Sequence, residues 1–140
     1  MIRVVLDTNI VVSALLQPLG PSARILVLVL SDAIQLCVTG TIYAEYEEVL
    51  RRPRFRLDEN VIAAALEAIR LKGLWVKSPP TIRVCPDPDD DIFVECAAAA
   101  EADYVVTGNV KHFPSAWGKT RVVTPRQFVD AEFSEEQDAR

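Results

Sequence analysis

Five short apolar runs, at residues 2–6, 35–38, 74–76, 104–107 and 121–124, alternate along this chain with longer segments that carry helix signals, at 11–16, 22–30, 42–52, 60–72, 92–102 and 125–132. The short runs are continuous and rich in β-branched residues, the pattern of parallel strands buried on both faces. Pro21, Asp58 and Pro125 are ordinary helix starts. Strand and helix in this alternation predict an α/β fold with a central five-stranded parallel sheet, flanked by helices on right-handed crossovers. With 140 residues, 50% of them hydrophobic, such a chain can bury its own core. There is no internal repeat and no linker, so one domain is expected over residues 1–130, followed by an acidic tail at 131–140.

Several classes are excluded early. No apolar run approaches the roughly 18 residues of a membrane span. Asp7 interrupts the first apolar run, which argues against a signal peptide. Cys37, Cys85 and Cys96 have no paired spacing, so they read as reduced thiols of a cytoplasmic protein rather than a disulfide framework or a zinc site. The net charge of −5 is concentrated at the end, because residues 130–140 hold five acids and one base. The body before them is close to balanced, with fifteen acids and fourteen bases.

The placement of the body's acids carries the chemistry. Asp7 ends the first strand, Glu45 lies early in the third helical segment, and Asp87, Asp89, Asp90 and Asp91 crowd the approach to the fifth. In a doubly wound sheet, the carboxyl ends of neighbouring strands are where ligands bind. An acid at a helix start can be a mere cap, but four within five residues exceed what a cap needs. Clustered carboxylates repel unless a cation joins them, and hard oxygen donors select Mg²⁺ or Mn²⁺. Phosphatases of the haloacid-dehalogenase type need a second Asp two residues after the first, where this chain has Asn9. Glycine-rich phosphate loops are absent. A phosphoacceptor receiver domain needs an Asp at the end of the third strand, where Trp75-Val76-Lys77 offers none.

Three segments, VVLDTNIVVSALL (4–16), TIYAEYEEVLRRPRF (41–55) and CPDPDDDIFVECAAAAEADYVVTGNVKHF (85–113), together resemble the PIN-domain proteins, in particular the VapC-like toxins of toxin–antitoxin systems. The resemblance covers about residues 1–128 and implies a three-layer PIN-like fold, a Mg²⁺- or Mn²⁺-dependent endoribonuclease, an RNA substrate, a cognate antitoxin and a homodimer. It implies Asp7 and Glu45 as metal ligands, joined by Asp91 or Asp90. Asp91 is preferred because it lies sixteen residues before Thr107, with Asp90 next as a catalytic acid. Thr8, Asn9, Thr107 and Asn109 are candidates to orient the ligands or the attacking water. Asn109 departs from the pattern, since many relatives carry an Asp there, and His112 stands where others place an acid. The alternative reading is therefore a PIN fold of weak or no activity, serving as an RNA- or protein-binding module.

Arg51, Arg52, Arg54 and Arg56 form a basic strip around Pro53. Arg51 and Arg52 suit a helix C-terminus, whereas Arg54 and Arg56 lie beyond it and suit phosphate contact or an acidic antitoxin segment. Lys111 and Lys119 would extend a basic rim.

Overall fold

A computed structural model describes residues 1–133. The strands are β1 (Arg3–Leu6), β2 (Gln35–Val38), β3 (Leu74–Trp75), β4 (Tyr104–Val106), β5 (Ala116–Trp117) and β6 (Thr120–Val123). The helices are α1 (Thr8–Leu16), α2 (Pro21–Leu30), α3 (Gly40–Leu50), α4 (Glu59–Lys72), α5 (Asp91–Ala100) and α6 (Pro125–Glu132). The sheet order is β3-β2-β1-β4-β6-β5, and every pairing is parallel except that of β5 with β6. The chain is thus an α/β fold with a mostly parallel central sheet. The expected five-stranded sheet gains β5, a two-residue antiparallel strand. It folds back through a two-residue turn at Gly118-Lys119, where Gly118 has a φ of 56° that a side chain rarely adopts.

The central strands are dry, as their composition requires. Val4, Val5, Leu36, Cys37, Val38 and Val106 expose no surface. Helix α5 packs across β1, β2 and β4, and its small residues Ala97 and Ala100 let it lie close to the sheet. Burying a core of this kind contributes roughly 25 cal/mol for each Å² of apolar surface removed from water. All three cysteines are free. Burial pushes the thiols of Cys37 and Cys96 up to about 11 and about 12, where they are inert.

The chain leaves β1 toward β2 and β3, then returns to the other side of β1 for β4 and β6. The order reverses between β1 and β4, and that switch point opens a crevice at their carboxyl ends. Leu6 pairs with Val106 in register, so Asp7 and Thr107 emerge side by side. The Asp7 amide donates to the Val106 carbonyl (3.0 Å), extending the ladder to the rim of the crevice.

The acidic end begins later than its composition implies. Ala131 and Glu132 complete α6, and the Phe133 ring lies 5.9 Å from that of Phe128. Residues 134–140 of the expected tail lie outside the described residues. No single described helix is long and apolar enough to cross a membrane.

Candidate active site

Asp7 is the junction of β1 and α1. Helix α1 begins at Thr8, three residues earlier than the periodicity implies, so Asp7 occupies its N-cap position. Its side chain makes no close cap hydrogen bond, although the amides of Thr8 and Asn9 still favour its charged form. Its carboxylate instead turns to the neighbouring strand, where the Thr107 hydroxyl donates to Asp7 Oδ2 at 2.7 Å. Burial holds the Asp7 carboxyl above its ordinary value, opposed by the Thr107 hydroxyl and the amides of Thr8 and Asn9; the charge of Glu45 adds to the rise.

Glu45 reaches the same place from α3. Thr39 caps that helix by accepting the Ile42 amide at 3.1 Å, which fixes its start beside the end of β2. The Thr8 hydroxyl donates to Glu45 Oε2. Next to Glu45, the fully buried Tyr46 donates its hydroxyl to the Leu6 carbonyl at 2.5 Å. Tyr46 thereby bolts α3 to the last residue of β1. In the sequence Tyr46 is only an aromatic beside the motif's Glu, which any core position would also explain, so nothing there singles out this tie.

Of the two candidate acids at the start of α5, Asp91, favoured by the spacing, is committed to backbone amides, and Asp90 is the one that feels the charges of Asp7 and Glu45. Pro88–Asp90 form a single 3₁₀ turn before α5, with Asp87 closing it by accepting the Asp89 amide at 2.9 Å. Past that turn, Asp91 points back under the incoming chain and is 5% exposed. Its Oδ1 accepts the amides of Val84 (3.1 Å) and Cys85 (2.8 Å). Burial would raise the Asp91 carboxyl, but those amides outweigh it and hold the group below its ordinary value. Asp91 is a structural clasp for the proline-rich segment, assisted by Glu95, whose Oε2 accepts the Ile82 amide at 3.0 Å. Cys85, pushed up to about 12 chiefly by burial and then by Asp91, is a neutral thiol in that clasp.

Asp90 faces the crevice. Its carboxyl is raised to about 6, first by burial and then by the charges of Asp7 and Asp87, with His112 opposing and Glu45 adding. His112 Nδ1 lies 4.0 Å from Asp90 Oδ2, so the histidine borders the site rather than standing apart from it. Asp7, Glu45 and Asp90 are therefore within electrostatic reach of one another. They are not drawn into a closed cage: among the described residues, no three acidic, histidine or cysteine side chains form a group that could hold an ion by themselves. The expected ligand set of Asp7, Glu45 and Asp91 is not assembled, because Asp91 is committed to the backbone amides of Val84 and Cys85. A magnesium-type cation keeps several waters and needs only one or two direct carboxylates. The donor set of Asp7, Glu45 and Asp90, all hard oxygens with unrelieved repulsion, fits such a hydrated ion.

The remaining expected positions divide. Asn9 and Asn109 both border the crevice through the TGN turn: Asn9 Oδ1 accepts the Gly108 amide at 3.4 Å, and the Asn109 amide donates to Thr107 Oγ1 at 3.0 Å. Of the arginines, Arg51 forms a forked pair with Glu59 (2.8 and 3.0 Å) and Arg52 with Glu48 (2.8 and 3.2 Å), all solvent-exposed. Arg52 also feels the charge of Glu45. Arg54 stacks 4.8 Å above the Phe55 ring, and Arg56 ends the turn with a φ of 52°. Lys119 lies elsewhere, pairing with Asp103 (3.4 Å) at the amino end of β4.

The PIN domain family profile matches residues 3–111. The chain is also 28% identical to an uncharacterized protein of Methanocaldococcus jannaschii, MJ1680, over 92% of this chain and 90% of the relative. The profile spans most of the chain, and the chain belongs to the PIN-domain family, a nuclease-type family whose members typically use divalent metals.

Proposed function

We propose that this PIN-domain chain is a Mg²⁺- or Mn²⁺-dependent endoribonuclease whose working carboxylates are Asp7, Glu45 and Asp90. One observation carries the reading. Two carboxylates from distant segments are tied to adjacent positions at the switch point: Asp7 through Thr107, and Glu45 through Thr8. Holding like charges together costs free energy that a structural role alone would not require.

Asp7 and Glu45 would hold the cation, with Asp90 completing the negative field around it. A bound divalent cation supplies Lewis acidity, acidifying water and neutralising charge that develops on a phosphate oxygen. The side chains do the rest. Thr107 and Thr8 each hold one carboxylate oxygen, of Asp7 and of Glu45 respectively, and so fix the two side chains. Asp90 would stand beside the attacking water as its proton acceptor. Arg52, at the edge of this group, suits a backbone phosphate on entry.

The toxin role, a cognate antitoxin and a homodimer are supported by the resemblance to VapC-like proteins and by exposed apolar side chains for a partner, among them Leu19, Val27 and Leu71. A second reading, a binding module of weak activity, is favoured by one observation: Asn109 brings no charge to the rim where an acid would tighten the cation. The deciding experiment is cleavage of a panel of structured and single-stranded RNAs in Mn²⁺. The nuclease reading expects internal cuts by wild type that stop with chelator and with Asp7→Asn. No cleavage on the whole panel, or cleavage indifferent to chelator and to Asp7→Asn, overturns it.

A further inference from the structure

Beside the carboxylates lies a cavity of about 430 Å³, formed where α1, the start of α2 and the start of α6 meet. That volume is in the range of small-ligand sites. Ile10, Pro21 and Pro125 give it apolar walls, and Asn9 and Gly108 are shared between it and the crevice at the end of β1 and β4. A ligand running from the carboxylates across the TGN turn would enter it directly.

Several of its polar groups are not committed elsewhere. Ser22 lines the cavity and is only 4% exposed, yet its hydroxyl makes no hydrogen bond among the described residues. No described side-chain oxygen or nitrogen is both sealed from solvent and unpaired, so the Ser22 hydroxyl keeps some contact with solvent, and Ser22 lines this cavity. A ligand that fills the cavity would cover that hydroxyl, and one that brings a donor or acceptor to it is favoured over one that does not. Gln17 at the mouth also leaves its side-chain amide, both a donor and an acceptor, without a partner among the described residues. Arg126 sits on the rim with no carboxylate paired to it among the described residues. Gly20, the N-cap of α2, supplies no side-chain cap, so amides at that helix start are also open to an acceptor.

We propose that this cavity receives one nucleobase of the RNA strand next to the phosphodiester that is cut, with Arg126 on the adjoining phosphate, and so gives the enzyme a base preference at that position. Apolar walls suit a base face, and an amide with a hydroxyl can pair with the donors and acceptors of a base edge. The inference rests on the ribonuclease reading above, but its test separates the two.

The experiment digests a randomised RNA library in Mn²⁺ and sequences the product ends, for wild type, for the double variant Gln17→Ala/Arg126→Ala, and for Ser13→Phe, which fills the cavity from the α1 wall. Wild type is expected to show a base bias of about fivefold or more at one position flanking the cut. The bias should fall to near unity in the products of both variants. If Ser13→Phe melts early, the double variant decides. A wild type that cuts without bias, or variants that keep it, overturns the subsite and leaves the nuclease reading standing. If wild type does not cut at all, displacement of a fluorescent RNA pentamer decides. Displacement by a nucleoside monophosphate, weakened in the double variant, and none by ribose 5-phosphate, supports the base site. Equal displacement by both, or by neither, overturns it.

Discussion

The hydroxyl of Thr107 donates to Asp7 Oδ2 at 2.7 Å while accepting the amide of Asn109 at 3.0 Å. One side chain at the end of β4 therefore steadies the buried acid of β1 and shapes the turn that borders it. Thr107→Val keeps the shape and removes both roles. It should cost about 1–3 kcal/mol, the range for stranding a buried polar group. It should also push the Asp7 carboxyl further up and weaken Mn²⁺ binding. Thr107→Ser should restore both, as read by melting curves with and without Mn²⁺.

Tyr46 is the second tie. Tyr46→Phe removes only the oxygen that donates to the Leu6 carbonyl. The expected loss is about 1 kcal/mol or somewhat more. If the tie positions Glu45, the RNA cleavage rate should fall with KM nearly unchanged. A pure packing role would lower the melting temperature and leave the rate alone.

Asp90 makes stability depend on pH. Its value in the folded chain is about 6 against an ordinary 3.8, so the folded state binds the extra proton between those values. Stability without metal should then fall as pH rises through that window. Asp90→Asn loses that contribution and keeps only the dependence that comes from Asp7. At pH 7 it should be more stable than metal-free wild type, by about 1 kcal/mol or less once solvent screening of this part-exposed group and a weaker helix-dipole interaction at the start of α5 are allowed for. At pH 4 the two should converge. Denaturant unfolding at both pH values, in chelator, measures it, and a variant less stable than wild type at pH 7 would contradict the assignment.

The main strands are legible in the sequence because β1, β4 and β6 carry the β-branched runs of a buried parallel sheet, and β2 a short apolar one. Asp7 and Glu45 are legible because a strand end and a helix face fix where they project. The choice between Asp90 and Asp91 is not. The two are neighbours, and which one enters the crevice depends on how the Pro88–Asp90 turn rotates the start of α5. Spacing from Thr107 carries no information about that rotation. Likewise β5 is only two residues long and has no pattern of its own; the glycine in its turn is the one available signal. The cavity proposed for a nucleobase is built by three helices that meet only in the folded chain.

Asn109 sits one hydroxyl away from Asp7, so a charge there should be felt at the cation. Asn109→Asp is expected to tighten Mn²⁺ binding by on the order of 1 kcal/mol at an effective dielectric near 20. The same charge should destabilise the metal-free protein through repulsion. Calorimetric titration of both proteins tests this; equal affinities would show that residue 109 does not reach the ion.

The proposed division, with Asp90 completing the site and Asp91 bracing the fold, is tested most directly by single-turnover RNA cleavage in Mn²⁺ by Asp90→Asn and Asp91→Asn. Both substitutions keep the side-chain shape, and in Asp91→Asn the amide carbonyl oxygen can still accept from Val84 and Cys85. Asp90→Asn is expected to cut at least about a hundredfold more slowly, the scale of losing a positioned acid or base. Asp91→Asn should stay within about tenfold of wild type, well short of that loss. The reverse order, a crippled Asp91→Asn beside an active Asp90→Asn, would contradict the assignment.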